Sequence, residues 1–224
     1  PVFEDFTFML PFSERKIFHE AYNNMRMGAS LFIHGPYQSG KTSLLRAIHV
    51  KLGELGDNAI FVNFDMSIKV KSATARGLDY NAILDGLSDF LSFQIFKEKM
   101  TWNNLETKLN NLSRSHPRIY ILMDEFQSIF DSQHFLDVTK DLFRVITNST
   151  LVSYLGVGTF KLTKLLNTNG VVNNSPFNKA VFLRMPPFDS GEMSALFTRY
   201  KDISPHAIIQ PLQTEIMGES SGHP

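Results

Sequence analysis

Eight consecutive residues, Gly35-Pro36-Tyr37-Gln38-Ser39-Gly40-Lys41-Thr42, match the spacing Gly-x4-Gly-Lys-Thr. Glycines at 35 and 40 let the backbone curl so that successive N–H groups face inward as an anion nest. A helix beginning near Lys41 would add its unsatisfied N–H groups and positive dipole end. A triphosphate suits such a nest. In that reading Lys41 reaches the β- and γ-phosphates as a point charge and the Thr42 hydroxyl holds Mg2+. The candidate nucleotide-binding set is therefore Gly35, Pro36, Tyr37, Gln38, Ser39, Gly40, Lys41, Thr42 and Ser43.

A second constellation lies some eighty residues on. Arg118-Ile119-Tyr120-Ile121-Leu122-Met123 is an apolar run that ends in Asp124 and Glu125. By itself an apolar run closed by two acids is often a strand with a solvated turn. After a matched phosphate loop it gains a chemical meaning, because carboxylates at the carboxyl edge of a parallel sheet face the ligand crevice. Asp124 then joins Thr42 as a Mg2+ position, and Glu125 orients and deprotonates an attacking water. Catalytic acids of this kind belong to ATPases with a strand inserted between the loop and the acidic strand, whereas many small-molecule kinases lack them. Hydrolysis of ATP is favoured over phosphotransfer. No Asn-Lys-x-Asp guanine-reading motif occurs, which leans toward ATP over GTP.

These residues need a scaffold. Short β-branched and aromatic runs alternate with longer amphipathic stretches, the pattern of a mostly parallel sheet covered by helices on both faces. Strands are expected over residues 30–34, 59–65, 118–124, 151–157 and 180–185. Four of the five are nearly continuous in apolar residues, as strands buried on both faces should be. Helices are expected over 41–55, 79–99, 102–112, 126–147 with a break near 132–134, and 191–200. Residues 66–77 and 167–178 read as loops. The fold class is thus α/β, a five-stranded P-loop NTPase sandwich of three layers.

Composition narrows the alternatives. The 224 residues suit one sizeable core. Twenty-two basic and 22 acidic side chains balance to a formal net charge of zero, so no global field argues for nucleic acid. With no cysteine, disulfides, thiolate zinc sites and a thiol nucleophile are excluded, and a reducing compartment fits. No apolar run has the length of a membrane span. The seven histidines lack metal-ligand spacing, and His34 reads as a strand residue with a satisfied ring. Trp102 and the phenylalanines read as core rather than as base-stacking platforms. From Leu142 to Phe188 there is no acid, while Arg144, Lys161, Lys164, Lys179 and Arg184 are present. That bias, like the one at Lys69, Lys71 and Arg76, faces phosphate, a partner or nucleic acid, or is a solvated face.

The sequence around these motifs resembles the AAA-like ATPases of the STAND and archaeal-ATPase branches. The likeness rests on Phe32-Ile33-His34-Gly35-Pro36 through Lys41-Thr42-Ser43-Leu44-Leu45-Arg46, on Leu122-Met123-Asp124-Glu125-Phe126, on Ser175-Pro176-Phe177-Asn178, and on Leu183-Arg184-Met185-Pro186-Pro187-Phe188. A looser likeness is to the NTPase domains of Crinkler-type effectors. The resemblance implies a polar sensor after the fourth strand, where Thr159 stands as either the third catalytic residue, with Lys41 and Glu125, or a plain turn residue. It implies an ATPase core over 1–217, with 218–224 beginning a truncated helical or winged-helix lid, and a chain cut from a longer protein. Expected partners are ATP, adjacent domains, a second copy of the chain in nucleotide-dependent self-association, and nucleic acid, with no membrane. The expected compartment is cytoplasmic or nuclear, reached by secretion into a host cell if the Crinkler likeness holds. Between Arg144 and Arg184 only Lys161, Lys164 and Lys179 are basic, so the arginine finger of ring-forming relatives has no obvious counterpart.

Overall fold

The structure, a computed structural model, describes residues 15–54, 56, 59–112, 115–165 and 176–203. Five strands form one sheet: β1 (Leu31–His34), β2 (Ala59–Asp65), β3 (Arg118–Asp124), β4 (Val152–Gly158) and β5 (Val181–Arg184). Their order is β2-β3-β4-β1-β5, and every pairing is parallel. The expected strand set is therefore present, and the sheet is parallel throughout.

Parallel pairing brings all carboxyl ends to one edge. Asp65 lies opposite Asp124, and His34 lies opposite Gly158 on one side and Arg184 on the other. Alternate residues along the strands feed two cores. Leu31, Ile33, Tyr120, Leu122, Leu155 and Val157 pack beneath α1 (Lys16–Arg26) and α2 (Lys41–Gly53). Phe32, Val62, Ile121, Met123, Val152 and Tyr154 pack on the opposite face. That face is covered by α3 (Met66–Ala75), α4 (Tyr80–Phe96), α5 (Trp102–Asn110) and α6 (Gln133–Ile146). A final helix, α7 (Ser190–Ile203), follows β5. Helices on both faces of the sheet give the three-layer sandwich.

An aromatic cluster locks the middle of the sheet. The Phe32 ring lies 5.0 Å from Phe126, 5.4 Å from Tyr154 and 5.7 Å from Phe177, centroid to centroid. It crosses β4 at Gly156, where a Cβ would sit 2.7 Å from its ring atoms. Phe126 follows Glu125 directly, so this cluster also anchors the acidic strand end from behind.

Three local expectations change. Residues 66–77 are not a loop, because α3 starts with no intervening turn after β2. The Asp65 carboxylate caps it, accepting from the Ser67 and Ile68 N–H groups at 2.7 and 3.4 Å, and Met66, Val70 and Ala73 bury one side. Lys69 and Lys71 thus lie on a helix, with the Lys69 ammonium 3.6 Å from the centroid of the Phe90 ring. The segment 126–147 breaks at Ser132, within the expected 132–134, but the part before the break, Phe126–Asp131, is a 3-10 turn rather than α-helix; α6 follows, and Ser132 caps it by accepting from the Phe135 N–H at 3.3 Å. Helix α1, unanticipated, buries Ile17, Phe18, Ala21 and Met25. Most of the loop expected over 167–178 lies outside the described residues, as do the closing residues 218–224 and the boundary at 217.

Candidate nucleotide site

The loop between β1 and α2 has the conformation its glycine spacing predicts only in part. Gly40, immediately before α2, takes φ +84°, a left-handed conformation that glycine adopts without strain, and Gln38 takes φ +58°. Gly35 is required for a different reason. A Cβ there would lie 2.8 Å from the Met185 Cβ and 3.2 Å from the Ser39 hydroxyl, so close packing excludes a larger residue. The Gly35 N–H donates to Gly158 O at 3.1 Å, which ties the start of the loop to the end of β4.

Lys41 is the first residue of α2 and only 8 % exposed. Its ammonium donates to Pro36 O and to the Ser39 hydroxyl, the latter at 3.3 Å, while the Ser39 hydroxyl itself donates to Pro36 O at 2.9 Å. The cation is therefore held inside the curl of the loop. Burial lowers its pKa, and the charges of Glu125 and Asp124 oppose that shift. Asp124, the last residue of β3, and Glu125, which follows it, thus act electrostatically on the lysine of the loop, although β4 separates β3 from β1. Thr42 and Ser43 occupy the first turn of α2 beside Lys41. Tyr37 is 72 % exposed at the tip of the loop.

At the acidic strand end the chain turns sharply. Glu125 takes φ +50°, ψ +38°, a conformation a non-glycine residue adopts at some cost. Its N–H donates to Asp124 Oδ1 at 2.9 Å, and its side-chain Oε2 accepts from the Gln127 amide nitrogen. Thr159, the candidate sensor, is the residue after β4 and is buried. Its N–H donates to Gln127 Oε1 at 3.2 Å, and its hydroxyl accepts from the Lys161 N–H at 3.4 Å. The structure thus brings the loop, the acid pair and Thr159 to one sheet edge.

Gln127 is the residue the sequence reading missed. Its signal was present, an amide side chain two positions after the acid pair, directly behind Phe126. A second omission is Arg15, buried ahead of α1 and bonded to Glu192 and to Pro186 O, each at 3.0 Å. His34 departs from expectation. Its Nδ1 is buried without a hydrogen-bond partner among the described residues, and burial, then the charge of Arg184, lowers its pKa. Its ring meets Phe160 edge-on at 5.6 Å, and the Arg184 guanidinium lies 5.6 Å from the centroid of the Phe160 ring. The basic bias of the later segment is partly neutralised locally, since Arg144 pairs with Asp141 at 2.9 Å and Lys161 with Asp131 at 3.8 Å. Trp102 packs at the margin of the core, as expected. No helix among the described residues is long and apolar enough to cross a membrane.

Known proteins can now be set beside this geometry. No curated protein matches the sequence significantly. Among solved structures, a Walker-type ATPase of Pyrococcus abyssi superposes with a TM-score of 0.61 at 16% identity, over 92% of this chain and 63% of that one. The Aeropyrum pernix ORC1 protein, solved in complex with DNA, gives 0.55 at 18% identity, over 89% and 52%. AMPPCP-bound DnaA from Aquifex aeolicus gives 0.54 at 12% identity, over 90% and 54%. The chain spans about half to two thirds of the length of these proteins, and at such identities the likeness establishes the fold. Residues 20–155, more than half of the chain and including both the loop and the acid pair, match a family of ATPase domains found predominantly in Archaea, and the chain belongs to that family.

Proposed function

We propose that this chain binds MgATP at the loop formed by residues 35–43 and hydrolyses it. The observation that carries the reading is that the loop after β1, with Lys41 buried in its curl, and the acid pair Asp124 and Glu125 at the end of β3 stand at the same carboxyl edge of a parallel sheet. Membership of an ATPase family and the fold shared with AMPPCP-bound DnaA support it.

In this proposal the N–H groups of the loop and of the first turn of α2 receive the phosphates, and Lys41 neutralises the β- and γ-oxygens. Thr42 and Asp124 supply hard oxygen donors, a hydroxyl and a carboxylate, of the kind Mg2+ prefers. One or two protein oxygens such as these would suffice to hold the ion beside a nucleotide. When bound, the ion neutralises charge on the transferring phosphoryl group. Glu125 orients a water molecule and takes its proton, and Thr159 contacts the γ-phosphate.

The proposal extends to what the cycle drives. The chain spans only part of the length of its solved relatives, and the output proposed is a nucleotide-dependent movement of adjacent domains, as the sequence likeness to the STAND branch and, more loosely, to the Crinkler-type effectors implies. Self-association and contact with nucleic acid belong to the same proposal, the latter supported by the DNA complex of ORC1.

The test is phosphate release from MgATP and MgGTP by the purified chain, with affinity measured in parallel. Expected are turnover of ATP, loss of binding in Lys41→Ala, and tight binding without turnover in Glu125→Gln. Tight ATP binding with no phosphate released by the wild type would replace hydrolysis with nucleotide-gated binding.

A further inference from the structure

Gln127 is 5 % exposed and lies in the 3-10 turn that follows the acid pair. Its amide joins two elements 32 residues apart. The nitrogen donates to Glu125 Oε2, and the oxygen accepts from the Thr159 N–H at 3.2 Å. Only one orientation of the amide serves both partners, since the reverse would set its oxygen against a carboxylate oxygen and its NH2 against an N–H. The space around it is closely shaped. A Cβ on Gly158 would meet the Gln127 N at 3.2 Å and Leu162 Cδ1 at 3.1 Å, besides the Gln127 amide oxygen itself.

The bridge continues into the phosphate loop. Gly158 O, one residue before Thr159, accepts from the Gly35 N–H. A connected path of hydrogen bonds and short backbone steps thus runs from the first loop glycine through the end of β4 and the Gln127 amide to the Glu125 carboxylate. The Glu125 backbone is held by the bond between its own N–H and Asp124, in a left-handed conformation, while its carboxylate is bonded to the Gln127 amide.

We infer that Gln127 is a positioning residue for the hydrolytic step, setting the direction of the Glu125 carboxylate according to where the Gly158–Thr159 end of β4 stands. The inference rests on the hydrolytic reading above and adds to it a device that couples the phosphate contact at Thr159 to the general base. A shift of Thr159 toward phosphate moves the amide oxygen's partner, and the amide, fixed at both ends, passes the shift to Glu125. Side-chain chemistry explains the residue type. Glutamine alone combines this reach with a donor and an acceptor that do not titrate, whereas asparagine is one methylene shorter.

Two variants test it in the full chain. Gln127→Met keeps the length and removes both hydrogen bonds. Expected is a kcat about 10- to 100-fold lower, the scale of losing a residue that orients a catalytic group, with KM and ATP affinity within about threefold of wild type. Gln127→Glu gives an independent readout should the first variant fail to bind ATP. A protonated carboxyl can donate to Glu125 and accept from Thr159 as the amide does, whereas an ionised one repels Glu125. Its activity relative to wild type should therefore be highest at acid pH and fall as pH rises. Wild-type turnover with an unchanged kcat in Gln127→Met, or with a constant activity ratio in Gln127→Glu, overturns the positioning role and leaves hydrolysis standing. Absence of turnover in the wild type overturns both.

Discussion

Arg15 Nε donates to Glu192 Oε1 at 3.0 Å, joining residues 177 positions apart. The same guanidinium donates through Nη2 to Pro186 O and lies 4.2 Å from the centroid of the Phe188 ring, and the second Glu192 oxygen accepts from the Asp189 N–H at 3.0 Å. The start of α1 is thereby fastened to the connection between β5 and α7, next to the methionine that confines Gly35. Both charges are largely buried, at 1 and 15 % exposure. Arg15→Ala should cost about 3 kcal/mol, because it leaves Glu192 without its counter-charge. The urea midpoint should fall at constant m-value. Arg15→Lys should recover only part of the loss, since an ammonium cannot reproduce the planar fork. An unchanged midpoint in Arg15→Ala would show that the clamp contributes nothing.

Gly35→Ala places a methyl group against the Met185 Cβ and the Ser39 hydroxyl. Because Ser39 is bonded to both Pro36 and Lys41, displacement there reshapes the loop around the lysine. ATP affinity should fall by about tenfold or more, the scale of a 1–3 kcal/mol overpacking strain, while the circular dichroism spectrum is retained. Adding Met185→Ala should restore part of the affinity if that contact is the cause, and a double-mutant cycle measures the coupling.

Thr159→Val keeps the side-chain shape and the N–H bond to Gln127 but removes the hydroxyl. If Thr159 contacts the γ-phosphate, turnover should drop by at least about 10-fold, as for loss of one oriented donor, with little change in affinity. Equal turnover in variant and wild type would return Thr159 to the status of a turn residue.

Acid should weaken the fold partly through His34. Burial, then the charge of Arg184, lowers its pKa from the ordinary 6.5. With the folded value depressed, the unfolded chain binds the proton more readily. Its contribution to stability is complete above about pH 6.5 and is lost as pH falls through the folded value. His34→Gln should flatten the dependence of the urea midpoint on pH between 7 and 5. It should not abolish it, because burial also lowers the pKa of His49. A slope identical to wild type would remove His34 from the acid response.

Much of this architecture was legible before any coordinates. The β3 and β4 runs are apolar because both faces are covered, and the Gly-Lys-Thr spacing located both a strand before it and a helix after it. Their meeting at one edge with Asp124 and Glu125 follows from parallel order. What escaped were residues whose role depends on distant partners. Arg15 reads as an ordinary surface charge until Glu192 and Phe188 are in view, and Gln127 reads as a polar point on a helix. Helix α3 was lost differently. Asp65 ends β2 and caps α3 at once, so no turn residue announces the change, and the buried positions Met66, Val70 and Ala73 are outnumbered by polar ones.

The strand order bears on when this site can exist at all. Strand β1, which carries the loop, pairs only with β4 and β5, so Leu31 finds its partners Leu155 and Val181 at separations of 124 and 150 residues. Such distant pairing makes folding slow. During synthesis β1 would lack both neighbours until β4 emerges, so the nucleotide loop that follows β1 should take shape only after that much later segment. Nucleotide retention would thus report completed folding of nearly the whole sheet, and a nascent chain halted before residue 152 should retain none.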